Sequence, residues 1–168
     1  MSSFLLDEMD QKILFHLVCN ARTPFLEIAR ECGVSGAVVH QRVKKMEDAG
    51  IIVGSQFIIK PEILGYSVCA FVGIQLTEPS KYNEVTVKLM NVFEVVECHY
   101  VTGDYAVLIK IFCRDNNHLL TTLAEKIHTI SGIEKTHTFL SLDRAFERQV
   151  YVKDENIKKQ LITVNNNE

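Results

Sequence analysis

Six side chains between Ser35 and Asp48 have the types and spacing to read a nucleic acid. Wound as a helix, SGAVVHQRVKKMED places Ala37, Gln41, Lys44, Lys45 and Asp48 on one face, with His40 and Arg42 flanking it. Gln41 offers a donor and an acceptor to a base edge, and His40, Arg42, Lys44 and Lys45 can meet phosphates or bases. Phosphate contacts of this kind supply most of the affinity. The small residues Ser35, Gly36 and Ala37 at the start of the helix allow close approach. Val39, Val43 and Met46, at i, i+4 and i+7, form the opposite, inward stripe.

Such a helix reads a major groove only if other helices brace it. Ser35 is placed to cap it, and it runs to about Ala49, with Gly50 closing it. Before it, Thr23 is placed as the cap of a helix from Pro24 to Glu31 or Cys32, with Pro24 at its first position and Glu27 completing a capping box. The amides at Pro24 to Leu26, with the Thr23 cap, could hold a further phosphate. Gly33 ends that helix, which makes the pair a helix-turn-helix. A first helix is expected from Leu6, Met9, Ile13, Leu14, Leu17 and Val18 at helical spacing, with Asp7 and Glu8 near its start. The stretch IIVGSQFIIKP then reads as a strand leaving the unit. Net charge is −3, and residues 1–65 carry seven basic and eight acidic side chains, so at least two copies must act together on paired half-sites.

From Tyr66 the texture changes. Ser67–Leu76 reads as a strand, and Pro79–Asn91 as a helix with Tyr82, Val85 and Leu89 inward. Strands at Val95–Val101 and Tyr105–Phe112 are joined by the tight turn Thr102-Gly103-Asp104. A helix at Asn116–Ile130 has Leu119, Leu120, Leu123 and Ile127 inward, and a last strand spans Ile133–Leu142. The β-α-β-β-α-β order is the ferredoxin-like arrangement. The fold class is therefore α+β: an N-terminal helix-turn-helix, winged-helix-like domain (1–52), a linker strand (53–66), a βαββαβ domain (67–152) and a frayed tail (153–168). A two-layer unit of this kind leaves one sheet face uncovered, carrying Val68, Ala70, Val72 and Ile74 or their alternates, and such a face predicts a partner. The five cysteines have no CxxC spacing and read as buried, reduced thiols; the scattered histidines form no metal motif. No apolar run approaches a membrane span and the first residues carry no signal-peptide pattern, so a cytoplasmic protein with no cofactor and no membrane partner is expected.

Several spaced motifs resemble the Lrp/AsnC, or feast/famine, family. They are Leu6-Asp7, Asp10, Ile13-Leu14, Asn20-Ala21-Arg22, Ile28-Ala29, Gly33-Val34-Ser35, Arg42-Val43, Met46-Glu47 and Gly50-Ile51-Ile52. In the second half, Val101-Thr102-Gly103-Asp104-Tyr105 resembles the family's hallmark turn, and the likeness covers roughly residues 4 to 152. The resemblance implies a transcriptional regulator, not an enzyme, that binds double-stranded DNA, dimerises through its C-terminal sheets and assembles to an octamer. It also implies an amino acid or related metabolite bound between C-terminal domains. The backbone N–H groups of the Thr102-Gly103-Asp104 turn suit a carboxylate; Asp104 could instead pair with the ammonium. Tyr100 and Tyr105 would flank the ligand, and Thr136 and Thr138 add hydroxyls. Where many relatives carry an acidic residue after the turn's tyrosine, this chain has Ala106.

Two rival readings stand beside this one. The architecture also resembles siroheme decarboxylases, which need histidines and arginines converging on a macrocycle; His99, His118, His128 and His137 fall on different elements. A metabolite sensor with a vestigial DNA domain is the other.

Overall fold

The computed structural model describes residues 5–150 and residue 152. The tail 153–168, expected to fray, lies outside the described residues. The chain divides into two units, residues 1–57 with 147–168, and residues 58–146.

The first unit holds three helices: α1 (Glu8–Cys19), α2 (Phe25–Cys32) and α3 (Gly36–Asp48). Asp7 caps α1 in a reciprocal box with Asp10. Gly33 ends α2 in the left-handed region at φ 68°, where a Cβ is disfavoured. Ser35 caps α3, accepting from the Val38 N–H at 3.4 Å. Ile13, Leu14, Ile28, Ala29, Val39, Val43 and Met46 form the core, and Val152 packs partly buried against it. Val18, expected inward, is exposed.

Three expectations here are corrected. Thr23 does not cap α2: Pro24, extended at ψ 137°, stands at the cap position with no side-chain bond, and the Thr23 hydroxyl donates to the Asn20 carbonyl at 2.8 Å. Glu27 therefore completes no capping box. The linker strand is absent among the described residues: 53–60 joins no sheet, and Pro61–Leu64 is a short 3-10 turn. Val53, Phe57 and Ile58 are left exposed there. A strand needs a hydrogen-bonded neighbour, and the described residues supply none.

The second unit is a four-stranded antiparallel sheet of order β2-β3-β1-β4, with β1 Val68–Leu76, β2 Val95–Tyr100, β3 Val107–Cys113 and β4 Ile133–Ser141. On one face lie α4 (Tyr82–Met90) and α5 (Asn116–Thr121), the latter running on as a π-helical turn, Thr122–Ile127. Ala70, Val72, Ile74, Val107, Ile109 and Ile111 face the helices and pack on Val85, Leu89, Leu119 and Ile127. The expected continuous α-helix 116–130 is thus interrupted, and Leu120, expected inward, is 63% exposed.

The alternates of the β1 core residues, Cys69, Phe71, Gly73 and Gln75, line the other face. Phe71 sits opposite Lys110 and Phe139, and Gly73 opposite Leu108 and His137. No described element of the unit covers this face; Phe71 remains 36% and Phe139 52% exposed. Only Cys113 among the five free cysteines is buried; Cys32 and Cys69 are partly buried, and Cys19 and Cys98 are exposed, contrary to the expectation of buried thiols.

Candidate functional site

Two sites follow from these placements. The first is the outward strip of α3. Packing of Val39, Val43 and Met46 against α1 and α2 fixes which side of α3 faces out. Ala37, His40, Gln41, Lys44 and Lys45 are then all exposed, as is the capping Ser35. Lys44 leans toward Asp48 at 3.5 Å, and the His40 ring sits edge-on to Phe25, with centroids 6.0 Å apart. Gly36 has a second reason to be small: a Cβ there would come within 2.9 Å of Leu26 Cδ2, so it also lets α2 and α3 close. Thr23 sits at the preceding corner, tied to Asn20 rather than to the amides of α2.

Arg42 departs most from its expected place. Its Nη1 donates to Asp7 Oδ2 at 2.6 Å and to Asp10 Oδ1 at 2.7 Å. The two remaining carboxylate oxygens accept backbone N–H groups, Asp7 Oδ1 from Asp10 at 2.8 Å and Asp10 Oδ2 from Asp7 at 3.2 Å. The bond from the Arg42 guanidinium holds the Asp7 carboxyl below the usual carboxylate range. In turn, Asp7 and then Asp10 raise the Arg42 guanidinium further. A cleft of about 280 Å³ lies here, lined by Asp7, Asp10, Val38, Gln41, Arg42 and Lys45. Arg42, expected to meet phosphates or bases, is turned by attraction to two carboxylates onto the start of α1. Sequence spacing gave no signal for this, since the partners are more than thirty residues away.

The second site is the connection between β2 and β3. It is longer than the three-residue turn expected, spanning 101–106, and is closed by the Val101 N–H donating to the Ala106 carbonyl at 3.1 Å. Gly103, at φ 108°, takes a conformation that side-chain-bearing residues rarely adopt. Two bonds fasten the turn to β1: the Ala106 N–H donates to the Ile74 carbonyl, and Gln75 Nε2 to the Asp104 carbonyl, both at 3.0 Å. Thr102, Gly103 and Asp104 are exposed. The Tyr105 ring lies over Gly73 on the open sheet face, and its Oη shares a 2.6 Å hydrogen bond with His137 Nδ1.

The other expected ligand contacts do not converge on Tyr105. Tyr100 pairs with Val107, so it lies on the helix side of the sheet, where its ring packs on Tyr82 at 4.5 Å. Thr136 and Thr138 pair with Ile74 and Val72 and share that side, and the Thr136 hydroxyl bonds His128 Nε2 at 2.8 Å. Because β2 and β4 are opposite edges, about 14 Å separates Tyr100 from these threonines. One chain therefore brings together Thr102, Gly103, Asp104 and Tyr105 only. The residues missed from the sequence are Gly73, Gln75 and His137, which hold the turn; register alone reveals them.

Among the described residues, no group of three or more histidine, cysteine, aspartate or glutamate side chains could hold a metal, and no helix is long and apolar enough to cross a membrane.

These geometries have known counterparts. Residues 6–53 match a family model described as winged helix-turn-helix DNA-binding, and residues 69–151 one described as the Lrp/AsnC ligand binding domain. Regulatory protein AsnC of Escherichia coli (strain K12) is 40% identical over 150 residues, spanning 89% of this chain and 99% of that protein. The HTH-type transcriptional regulator FL11 of Pyrococcus furiosus is 34% identical over 138 residues, spanning 82% and 90%. The solved structure of E. coli AsnC superposes with a TM-score of 0.83 over 88% of this chain and 99% of its own. A feast or famine regulatory protein from M. tuberculosis, solved in complex with L-methionine, gives 0.83 at 25% identity, covering 89% and 100%.

Proposed function

This chain belongs to the Lrp/AsnC family of transcriptional regulators, and from that premise we propose how it works: a homo-oligomer reads a roughly palindromic DNA site through α3 and is tuned by an amino acid. It is a DNA-binding regulator and not an enzyme, as its relatives are named. It acts in the cytoplasm. Residues 1–52 form the reading domain, 53–66 the connection and 67–152 the effector and assembly domain.

The observation that carries the DNA reading is the exposed strip of α3. Gln41 lies one turn from Lys45 on a helix whose other side is fixed by Val39, Val43 and Met46. Gln41 is assigned to a base edge, and Lys44 and Lys45 to phosphates, with Ser35, Gly36, Ala37 and His40 along the approach. The effector is assigned to the turn Thr102–Tyr105, where exposed amides suit the carboxylate and Asp104 the ammonium. Tyr100, Thr136 and Thr138 reach such a ligand only from a second copy. The uncovered sheet face with Phe71 and Phe139 supports that copy, a dimer that goes on to an octamer. L-methionine, bound by a structural neighbour, is the first ligand to try.

Selection of duplexes from a random-sequence pool tests this, with and without L-methionine. The wild-type chain enriches a two-fold symmetric motif. Lys45→Ala lowers the slope of log K against log salt by about 0.9. Gln41→Ala relaxes preference at one base pair of each half-site, worth about 1–3 kcal/mol. A pool that stays random sinks the reading.

A further inference from the structure

The ring of bonds between Asp7, Asp10 and Arg42 has no place in the contact assignment above. We propose that Arg42 is a positioning residue: it locks the reading helix to the first turn of α1 and offsets one of the two carboxylate charges at the rim of the reading surface, instead of contacting DNA. The inference rests on the DNA reading proposed above and names a specificity determinant within it.

All four carboxylate oxygens of the two aspartates are engaged, two by Arg42 Nη1 and two by backbone N–H groups. Asp10 is 5% exposed, so its charge is removed from water and depends on these partners. For Arg42 Nη1 to reach a phosphate it would have to leave a buried carboxylate unpaired, exchanging a sheltered ion pair for a solvent-screened one. Val38, Gln41, Arg42 and Lys45 form one strip of α3, at i, i+3, i+4 and i+7. Drawing Arg42 inward therefore adds a second restraint to the rotation that Val39, Val43 and Met46 give the strip carrying Gln41 and Lys45. The same strip and both aspartates line the cleft beside α1. The Asp7 side chain is 54% exposed, so without the guanidinium its negative charge would stand next to Lys45 and repel an approaching phosphate backbone.

The test measures affinity for a duplex enriched by the wild-type chain and for a scrambled duplex, across a salt series. Arg42→Met is expected to weaken both duplexes through the unmasked carboxylates but the specific one more, lowering the specific-to-scrambled ratio at least about tenfold with the salt slope unchanged. The double variant Asp7→Asn/Asp10→Asn keeps both caps, since asparagine caps as well as aspartate, but frees Arg42. It is expected to lose the same ratio while binding the scrambled duplex more tightly. This variant keeps the test sound should Arg42→Met unfold the domain. A direct phosphate contact gives the opposite pattern: Arg42→Met weakens both duplexes alike and lowers the slope by about 0.9, and the double aspartate variant holds the ratio. Either result overturns the assignment while leaving the DNA reading intact. Failure of the wild-type chain to enrich any duplex would instead remove the premise, and the assignment with it.

Discussion

Replacing Gly73 by alanine should destabilise the sheet unit, against the ordinary expectation for a strand glycine. An interior strand glycine lowers stability by about 0.5–1 kcal/mol relative to alanine, so Gly73→Ala would stabilise if the space above it were open. It is not: an ideal Cβ there falls 2.7 Å from Tyr105 Cγ and 2.8 Å from both Cδ atoms. Relief requires the ring to swing, because the turn backbone is held to β1 by the Ala106 N–H on the Ile74 carbonyl and by Gln75 Nε2 on the Asp104 carbonyl. Overpacking costs about 1–3 kcal/mol. Breaking the Tyr105–His137 bond adds about 0.5–1.5 kcal/mol. The net loss is then about 0.5–4 kcal/mol, which at ~4–8 °C per kcal/mol for a unit of this size is a drop in Tm of at least a few degrees. Thermal unfolding at fixed protein concentration reads it, with L-methionine added to show whether the ligand shift shrinks as well. The decisive control is Tyr105→Ala. In that background Gly73→Ala becomes neutral or stabilising. An equal loss in both backgrounds refutes the ring contact as the cause, and a Gly73→Ala chain as stable as wild type refutes the reasoning at its first step.

Two further outcomes follow from the core of the same unit. Burial pushes the Glu94 carboxyl up, but bonds from Lys126 Nζ at 2.6 Å, its own backbone N–H and His118 Nε2 at 2.9 Å outweigh this and hold it below the usual range. A depressed folded value means its stabilisation is present above the unfolded value and is lost as pH falls through the folded one. Glu94→Gln should therefore cost about 1–2 kcal/mol at neutral pH, with the gap to wild type closing below about pH 4; a gap constant down to pH 3 in urea titrations would falsify the linkage. Burial also pushes the Cys113 thiol up, and its Sγ lies 3.9 Å from Thr122 Oγ1 in the core. A disulfide reagent should modify exposed Cys19 in the folded protein and reach Cys113 only on unfolding; equal rates would contradict the core packing.

The helices were legible where a residue's local chemistry settles its place. Ser35, Gly33 and the Val39-Val43-Met46 stripe each carry their own signal, and each falls where the pattern puts it. Thr23 failed because two local solutions compete: Pro24 satisfies the extended cap position with its fixed φ, leaving Thr23 to bond back to Asn20. The segment 51–60 failed for a different reason. Its β-rich composition states a preference, but a strand exists only with a partner, and the described residues provide none to it. The helical pattern over 116–130 could not show the π-helical turn, which inserts an extra residue and sends Leu120 outward. For the turn site, the period of two placed Thr136 and Thr138 on one face correctly. Which face it was depended on pairing with Ile74 and Val72, a matter of register that no local pattern states.

The split of the effector residues bears directly on how a ligand could act. Tyr105 belongs to two structures at once, closing the turn that presents the Thr102, Gly103 and Asp104 amides and lying on the uncovered sheet face beside His137 and Phe139. On the proposed reading, a carboxylate captured by the turn and a second copy packed on that face both act on this one ring. Neither can choose between ring positions without biasing the other. Tyr100 and the two threonines, held on the helix side and at opposite edges, are out of reach of that ring within one chain. Ligand binding and assembly are then linked functions: the factor by which an amino acid favours the oligomer is the factor by which the oligomer tightens the amino acid. On that reading the coupling would pass through Gly73, the one position of β1 where the absence of a side chain leaves room for the ring.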